Sequence, residues 1–160
     1  MNLKLKEMKY NIRITLESKD DVIREIEIKS DCFLSELHSY IMEVFSLDSK
    51  ELASFYIIDS ELEIHKEIPL LSFEENDSSM DNTKTNSLLI EENDKLLYVY
   101  DYMKMWRFLV ELIAIGNDFK ENSCTLKIGE IPNEAPEIIF SKNNQDNNFS
   151  EKDLDEYEYY

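Results

Sequence analysis

Glycine is nearly absent from this chain: Gly116 and Gly129 are the only two among 160 residues. That excludes the GxGxxG and Walker loops, whose glycines let the backbone approach phosphates closely, so nucleotide binding of those kinds is not expected. Histidine is equally scarce, with His38 and His65 alone. Neither lies in an HExxH pattern or at ligand spacing from another His or Cys, and no metal site or cofactor is expected. Two cysteines, Cys32 and Cys124, stand far apart without CxxC spacing and, apart from Lys127, without a basic neighbour. They read as free, inert, buried or half-buried thiols in a reducing cytoplasm. Positive charge is also short: 17 Lys and Arg against 35 Asp and Glu leave a formal charge of -18. Direct nucleic-acid binding, which needs a basic stripe to neutralise phosphates, is excluded on that ground, and anionic membrane surfaces are disfavoured. The start, MNLKLKEMKY, alternates charged and apolar residues, so no secretory signal is expected, and no apolar run reaches membrane-spanning length.

What is present fits one cytoplasmic domain over residues 1–140. A chain of this length buries roughly 70% of its unfolded surface without help from disulfides or metals. Tyr10, Ile12, Ile14 and Leu16 share one parity, which predicts a half-buried strand over 9–16. After the polar turn at Lys19 to Asp21, a second strand over 22–29 closes a hairpin. Arg24 breaks its pattern by sharing the parity of Val22, Ile26 and Ile28, so it is either displaced by a bulge or turned inward toward a carboxylate. Leu34, Leu37, Ile41, Val44 and Phe45 recur at spacings of three and four, predicting an amphipathic helix over 33–46. LASFYIID, residues 52–59, reads as a third strand. A short strand is placed around Ile64, then a polar surface excursion over 74–86, and one helical turn over 87–90 capped by Asn86 or Ser87. Lys95 to Tyr102 alternates as an aromatic strand. From Trp106 to Ala114 the pattern fits both a period of two and a helical face, and periodicity does not choose between them. CTLKIG predicts a last strand over 124–128. From Ser141 to Tyr160 no apolar periodicity survives, and an acidic disordered tail is expected.

The order DVIREIEI, LSELHSYIMEVF, ELASFYIID, LLYVYDYMKMWRFLVELIAI and IGEIPNEAPE resembles the bacterial family of plasmid pRiA-type open-reading-frame-three-like proteins, also labelled TnpR-like passenger proteins of insertion elements. The resemblance runs from about Lys9 to Glu137 and is one of order and spacing. It implies an α+β fold, with a mixed, mainly antiparallel sheet and one main helix on its face in a β-grasp-like order. It also implies that the segment holding Trp106 is a strand, completing a hairpin from Leu96 to Ile115. Family members commonly read YDFGDxWxH at that hairpin's turn. Here Asp101 and Trp106 match, but Met103 stands at the glycine, Lys104 at the following acid and Phe108 at the histidine. A Cys- and Gly-rich ending found in some members is replaced by the acidic tail. No recombinase chemistry is expected from the label, since neither a nucleophilic serine among arginines nor a basic module is visible. The family has no established activity.

Four residues are singled out as an interaction or structural site: Arg24, Tyr100, Asp101 and Trp106. A buried Arg24 needs a partner, and Asp101, interrupting an apolar strand, is the candidate carboxylate. Trp106 with Tyr98, Tyr100, Tyr102 and Phe108 is either core or an exposed aromatic platform, and core is the commoner use of such a set. His38, at the border of the helix's apolar face, is expected to be packed, partly exposed and bonded to the backbone. The two EEND tetrads lack the DxDxDG pattern of a calcium loop. The function expected is that of a non-catalytic cytoplasmic accessory module binding an unknown protein partner. An enzyme with a site built on His38 and Asp101 is the alternative, and an acidic mimic of nucleic acid a remote one.

Overall fold

The computed structural model describes residues 7–48 and 50–136. The expected acidic tail from Ser141 lies outside them. Seven strands and one α-helix follow in the order β1 (Lys9–Leu16), β2 (Ile23–Lys29), α1 (Leu34–Phe45), β3 (Ala53–Ile58), β4 (Ile64–Pro69), β5 (Lys95–Tyr100), β6 (Trp106–Gly116) and β7 (Ser123–Ile128). They form one sheet in the order β4-β3-β5-β6-β1-β2-β7. No helix among the described residues is long and apolar enough to cross a membrane.

Alternation dictates this layer. Along β1, β2 and β6 as far as Leu112 every second residue is buried, so successive side chains point to opposite faces and one face becomes the core. Across the sheet, Ile26 and Ile12 stand opposite each other, as do Ile14 and Val110, Val110 and Leu96, and Tyr98 and Phe55. Helix α1 covers that face with Leu34, Leu37, Ile41 and Phe45, all within the same core cluster. Its start is fixed by the Glu36 carboxylate, which accepts the Phe33 N–H at 2.7 Å and sits where the helix dipole favours an acid. Ser46, at φ 54°, ends it. The other face is laced with ion pairs: Arg13 with Glu25 at 2.7 Å and Glu111 at 3.9 Å, Lys95 with Glu111, and Lys9 with Glu27.

Several expectations need correcting. Each strand pairing among the described residues is antiparallel, so the expected mixed sheet is not found, and the β-grasp-like order is met only in its opening hairpin and helix. The helical turn placed at 87–90 is a 3-10 turn at Thr85–Ser87, because the Thr85 carbonyl, not a side-chain cap, collects the N–H groups of Leu88 and Leu89. The polar excursion is tied down more firmly than its composition suggests. Met80 and Thr85 within it are fully buried, and the carbonyls of Met80 and Thr83 accept the N–H groups of Ser35 and Leu34. These bonds satisfy the first turn of α1, whose donors have no partner inside the helix.

Arg24 is turned inward, at 1% exposure, but it meets carbonyls and not the proposed Asp101. Its Nε donates to the Val44 carbonyl at 3.0 Å, and its Nη1 lies 2.9 Å from the Ile23 and Gly129 oxygens and 3.0 Å from that of Ile128. The guanidinium carbon stacks 4.8 Å over the Phe45 ring, while the exposed Glu130 carboxylate reaches only 4.0 Å. The pairing with Asp101 fails because β1 and β6 lie between β2 and β5. The carbonyls serve instead, since Val44 belongs to the last turn of α1, where the helix dipole is negative and oxygens lack intrahelical partners.

Gly129 follows β7 at φ +71°, and a Cβ there would lie 2.1 Å from the Asp21 carbonyl oxygen. Gly129→Ala is expected to destabilise the fold by more than about 2 kcal/mol, combining left-handed strain with a backbone clash. At Gly116 an added Cβ meets only the flexible Lys9 side chain, at 2.9 Å, so Gly116→Ala is expected to change stability by less than about 1 kcal/mol. Urea denaturation of the two variants beside the wild type measures both.

Candidate functional site

The aromatic row on the core face comes from the β5–β6 hairpin. Tyr100 pairs with Trp106 and Tyr98 with Phe108, which places all four on the same side of the sheet. Their exposures run from 0% for Tyr98 and Phe108 to 7% for Trp106, so the row is core and not a platform. Tyr98 lies within 4.9 Å of the Phe55 ring and 5.8 Å of Phe108, in tilted arrangements. That is the separation at which aromatic pairs add to plain area burial.

His38 completes this row from α1. It is 4% exposed, and its Nδ1 lies 2.7 Å from the Tyr98 hydroxyl. The expected backbone bond is thus replaced by a side-chain bond across the core. Burial pushes the Tyr98 phenol well above its ordinary range and the His38 imidazole below its own, because desolvation disfavours the charged form of each. Both groups are therefore neutral near neutrality.

Asp101 is neither paired with Arg24 nor near solvent in the ordinary way: it is 6% exposed and adopts φ +64°. Its Oδ1 accepts the N–H groups of Met103 at 3.0 Å and Lys104 at 3.2 Å. Its own N–H donates to the Leu52 carbonyl, and its carbonyl accepts from Met105. Asp tolerates the left-handed region better than most residues and folds its carboxylate onto the backbone two residues on. Asp101 is thus the turn-former of the hairpin, and its carboxylate is committed there. Turn formation also explains how the chain dispenses with the glycine at Met103, since positive φ falls at Asp101 and Met105 instead.

The hairpin tip presents Met103 at 92% exposure, and it is not alone. Leu52 precedes β3, and Leu71 and Phe73 follow β4. Ser54 opposite Pro69 and Ala53 opposite Tyr100 bring these segments to the same end of the sheet as the tip. Leu70 N–H to Ala53 O at 3.0 Å and Tyr102 O–H to Ala53 O at 3.1 Å fasten them there. Leu52, Leu71, Phe73 and Tyr102 are 46%, 55%, 98% and 41% exposed. Sequence reasoning missed this end, because its members come from three separate loops. The signal available was the apolar pair Leu71 and Phe73 beside the breaker Pro69. A second omission is the pair of buried Glu17 with half-buried Arg107, joined at 2.6 Å.

No group of three or more His, Cys, Asp or Glu among the described residues is arranged to hold a metal ion. Cys32 is half-buried and touches the Thr85 hydroxyl at 3.4 Å, and burial pushes its thiol up to about 11, leaving almost no thiolate. Cys124 is exposed, not buried or half-buried as expected, because β7 is an edge strand.

Because the folded state holds His38 neutral, its contribution to stability is complete above the unfolded imidazole pKa of about 6.5. It falls on acidification below that value, where the unfolded chain takes up the proton first. The stability difference between wild type and His38→Gln, measured by urea unfolding from about pH 8 to about pH 5, is expected to shrink as the pH falls. A difference independent of pH contradicts this.

The fold has a counterpart in a solved structure. The crystal structure of a protein of unknown function, MM3350 from Methanosarcina mazei Go1, superposes with a TM-score of 0.64 at 19% identity, covering 76% of this chain and 69% of that one. At that identity the likeness is one of fold. No curated protein matches. The family model for plasmid pRiA4b ORF-3-like proteins matches residues 8–139, which takes in every element of the sheet and α1, and the chain belongs to that family.

Proposed function

We propose that the protein is a non-catalytic interaction module of the cytoplasm that docks a protein partner through the apolar end of its sheet. The observation that carries this reading is the convergence of Leu52, Leu71, Phe73, Tyr102 and Met103 from three loops onto one end. Large apolar residues exposed together, unlike scattered ones, mark interaction surfaces. The formal charge of -18 selects a neutral or basic partner surface and repels acidic ones.

The enzyme reading would have to bring His38 and Asp101 into one open site. His38 is spent on Tyr98 within the core, and Asp101 on the hairpin turn. A general acid or base has to reach the proton it moves, and neither group is free to do so. As for an acidic mimic of nucleic acid, the carboxylates of Glu25, Glu27 and Glu111 on the strand face are paired with Arg13, Lys9 and Lys95, which disrupts any phosphate-like row.

Phe73→Asp and Met103→Asp, made together, are expected to weaken partner binding at least tenfold, given about 1.5–3 kcal/mol for burying each such side chain. The fold should be unchanged, since neither residue contributes to the core. Quantitative capture from native lysate, comparing wild type, the double variant and Lys19→Gln, reads this out. The reading requires one protein retained by wild type and Lys19→Gln and lost by the double variant. Equal retention by all three, or none by any, contradicts it.

A further inference from the structure

One concavity departs from the charge of the whole molecule. It has a volume of about 500 Å³ and lies where β3 and β4 meet the segment 78–88. Phe33, Ile57, Ile68 and Leu88 give it apolar walls, and its charged lining consists of Lys66 and Lys84. No Asp or Glu lines it, although acids outnumber bases 35 to 17 in the chain. Neither lysine is ion-paired among the described residues. Lys66 Nζ donates to the Ser78 hydroxyl at 3.1 Å, and Lys84 Nζ is held 6.0 Å above the Phe33 ring, next to the backbone bridge between these two residues.

The neighbouring concavities differ in this respect. One of about 400 Å³, which shares Phe33 and Lys84 with the groove, contains Lys29 but also Asp31 and Glu36, and Lys29 is already paired with Glu7 and Asp31. Another of about 300 Å³ holds Asp59 and Asp94, whose oxygens accept the N–H groups of their own turns. Both are therefore bordered by carboxylates. The Lys66 and Lys84 groove has no carboxylate in its lining, and Asn86 adds an amide there, while the Ser87 hydroxyl and the Asn82 amide already donate to the Lys84 and Asp77 carbonyls.

We propose that this groove binds a small organic anion with an aromatic or apolar body, such as a phosphate monoester or carboxylate carrying a ring. Its oxyanion is taken by the ammonium groups of Lys66 and Lys84, and its ring by Phe33, Ile57 and Leu88. The volume lies within the range of small-molecule sites, about 300–1,000 Å³, and the combination of apolar walls with a few convergent polar groups is the usual one. Backbone anchors position both lysines: Lys66 lies on β4, and Lys84 is bridged to Phe33 at the start of α1. Ile57 and Lys66 stand opposite each other toward the end of β3 away from Leu52, so this site and the apolar end are tested separately.

The test is an NMR titration of the isotopically labelled full chain with phenyl phosphate, inorganic phosphate and neutral benzyl alcohol. Phenyl phosphate is expected to shift the amides of Phe33, Ile57 and residues 82–88, with inorganic phosphate and benzyl alcohol each binding more weakly at the same place. Lys66→Gln with Lys84→Gln should weaken phenyl phosphate at least about tenfold, Lys19→Gln should leave it unchanged, and added salt should weaken it because both charges face solvent. The spectra of the variants report directly that they are folded. No shifts, shifts spread over the surface, equal affinity in the double lysine variant, or benzyl alcohol binding as tightly as the phosphate would each overturn the proposal.

Discussion

A single buried cation ties three parts of this structure together. Arg24 extends from β2 into the core and binds the end of α1 through Val44 and the end of β7 through Ile128 and Gly129. An arginine buried without a close carboxylate is costly, and what offsets the cost is a set of backbone carbonyls together with the face of Phe45. Apart from its ladder with β2, strand β7 has little burial to hold it: five of its six residues are exposed, and it lies at the sheet's margin. Helix α1 is held by the same group, because the Val44 carbonyl accepts from its Nε and the Phe45 ring lies against its guanidinium. Lysine, with one ammonium and no planar fork, could not serve the same carbonyls and stack on the ring.

The far half of the sheet is organised differently, by aromatic packing and a turn. Phe55, Tyr98, Phe108 and Phe45 form a continuous row of ring contacts that His38 closes from above. The row packs the strands of the β5–β6 hairpin on the core side while Asp101 sets the turn. The two proposed surfaces lie at the margins of this frame, with exposed apolar side chains at one end and, on the helix side, Lys66 and Lys84, which have no ion pair among the described residues.

Much of the frame was legible in residue order. Tyr10 to Leu16 and Ile26 to Ile28 announce strands because one face of the sheet is buried and the other wet, and Leu34 to Phe45 announces a helix because only one stripe is covered. Trp106 to Ala114 was ambiguous by period alone, since a strand with residues such as Leu109 and Ile113 on its wetter face imitates a helical face; pairing with β1 and β5 decides it. Strand β4 was faint for the opposite reason, as four of its six residues are exposed. Arg24 showed itself as a break in parity, yet its partners could not be named, because backbone carbonyls carry no residue identity. Asp101 was chosen as its partner on charge, and charge was the wrong criterion once β1 and β6 stood between them. The candidate surfaces were least legible of all. Leu52, Leu71, Phe73 and Met103, or Lys66 and Lys84, become neighbours only through strand pairing and the return of the 78–88 segment to α1.

Amide hydrogen exchange in Arg24→Met tests the central role of the guanidinium most directly, since methionine keeps much of the apolar volume and removes the donors. Losing them removes the guanidinium donors from the Val44, Ile128 and Gly129 carbonyls, at about 1–3 kcal/mol for a carbonyl that stays buried and unsatisfied. The account predicts that the amides of β7 and of the last turn of α1 lose protection well beyond the loss in β5 and β6. Protection of β7 equal to wild type, or an equal loss in every strand, would contradict it.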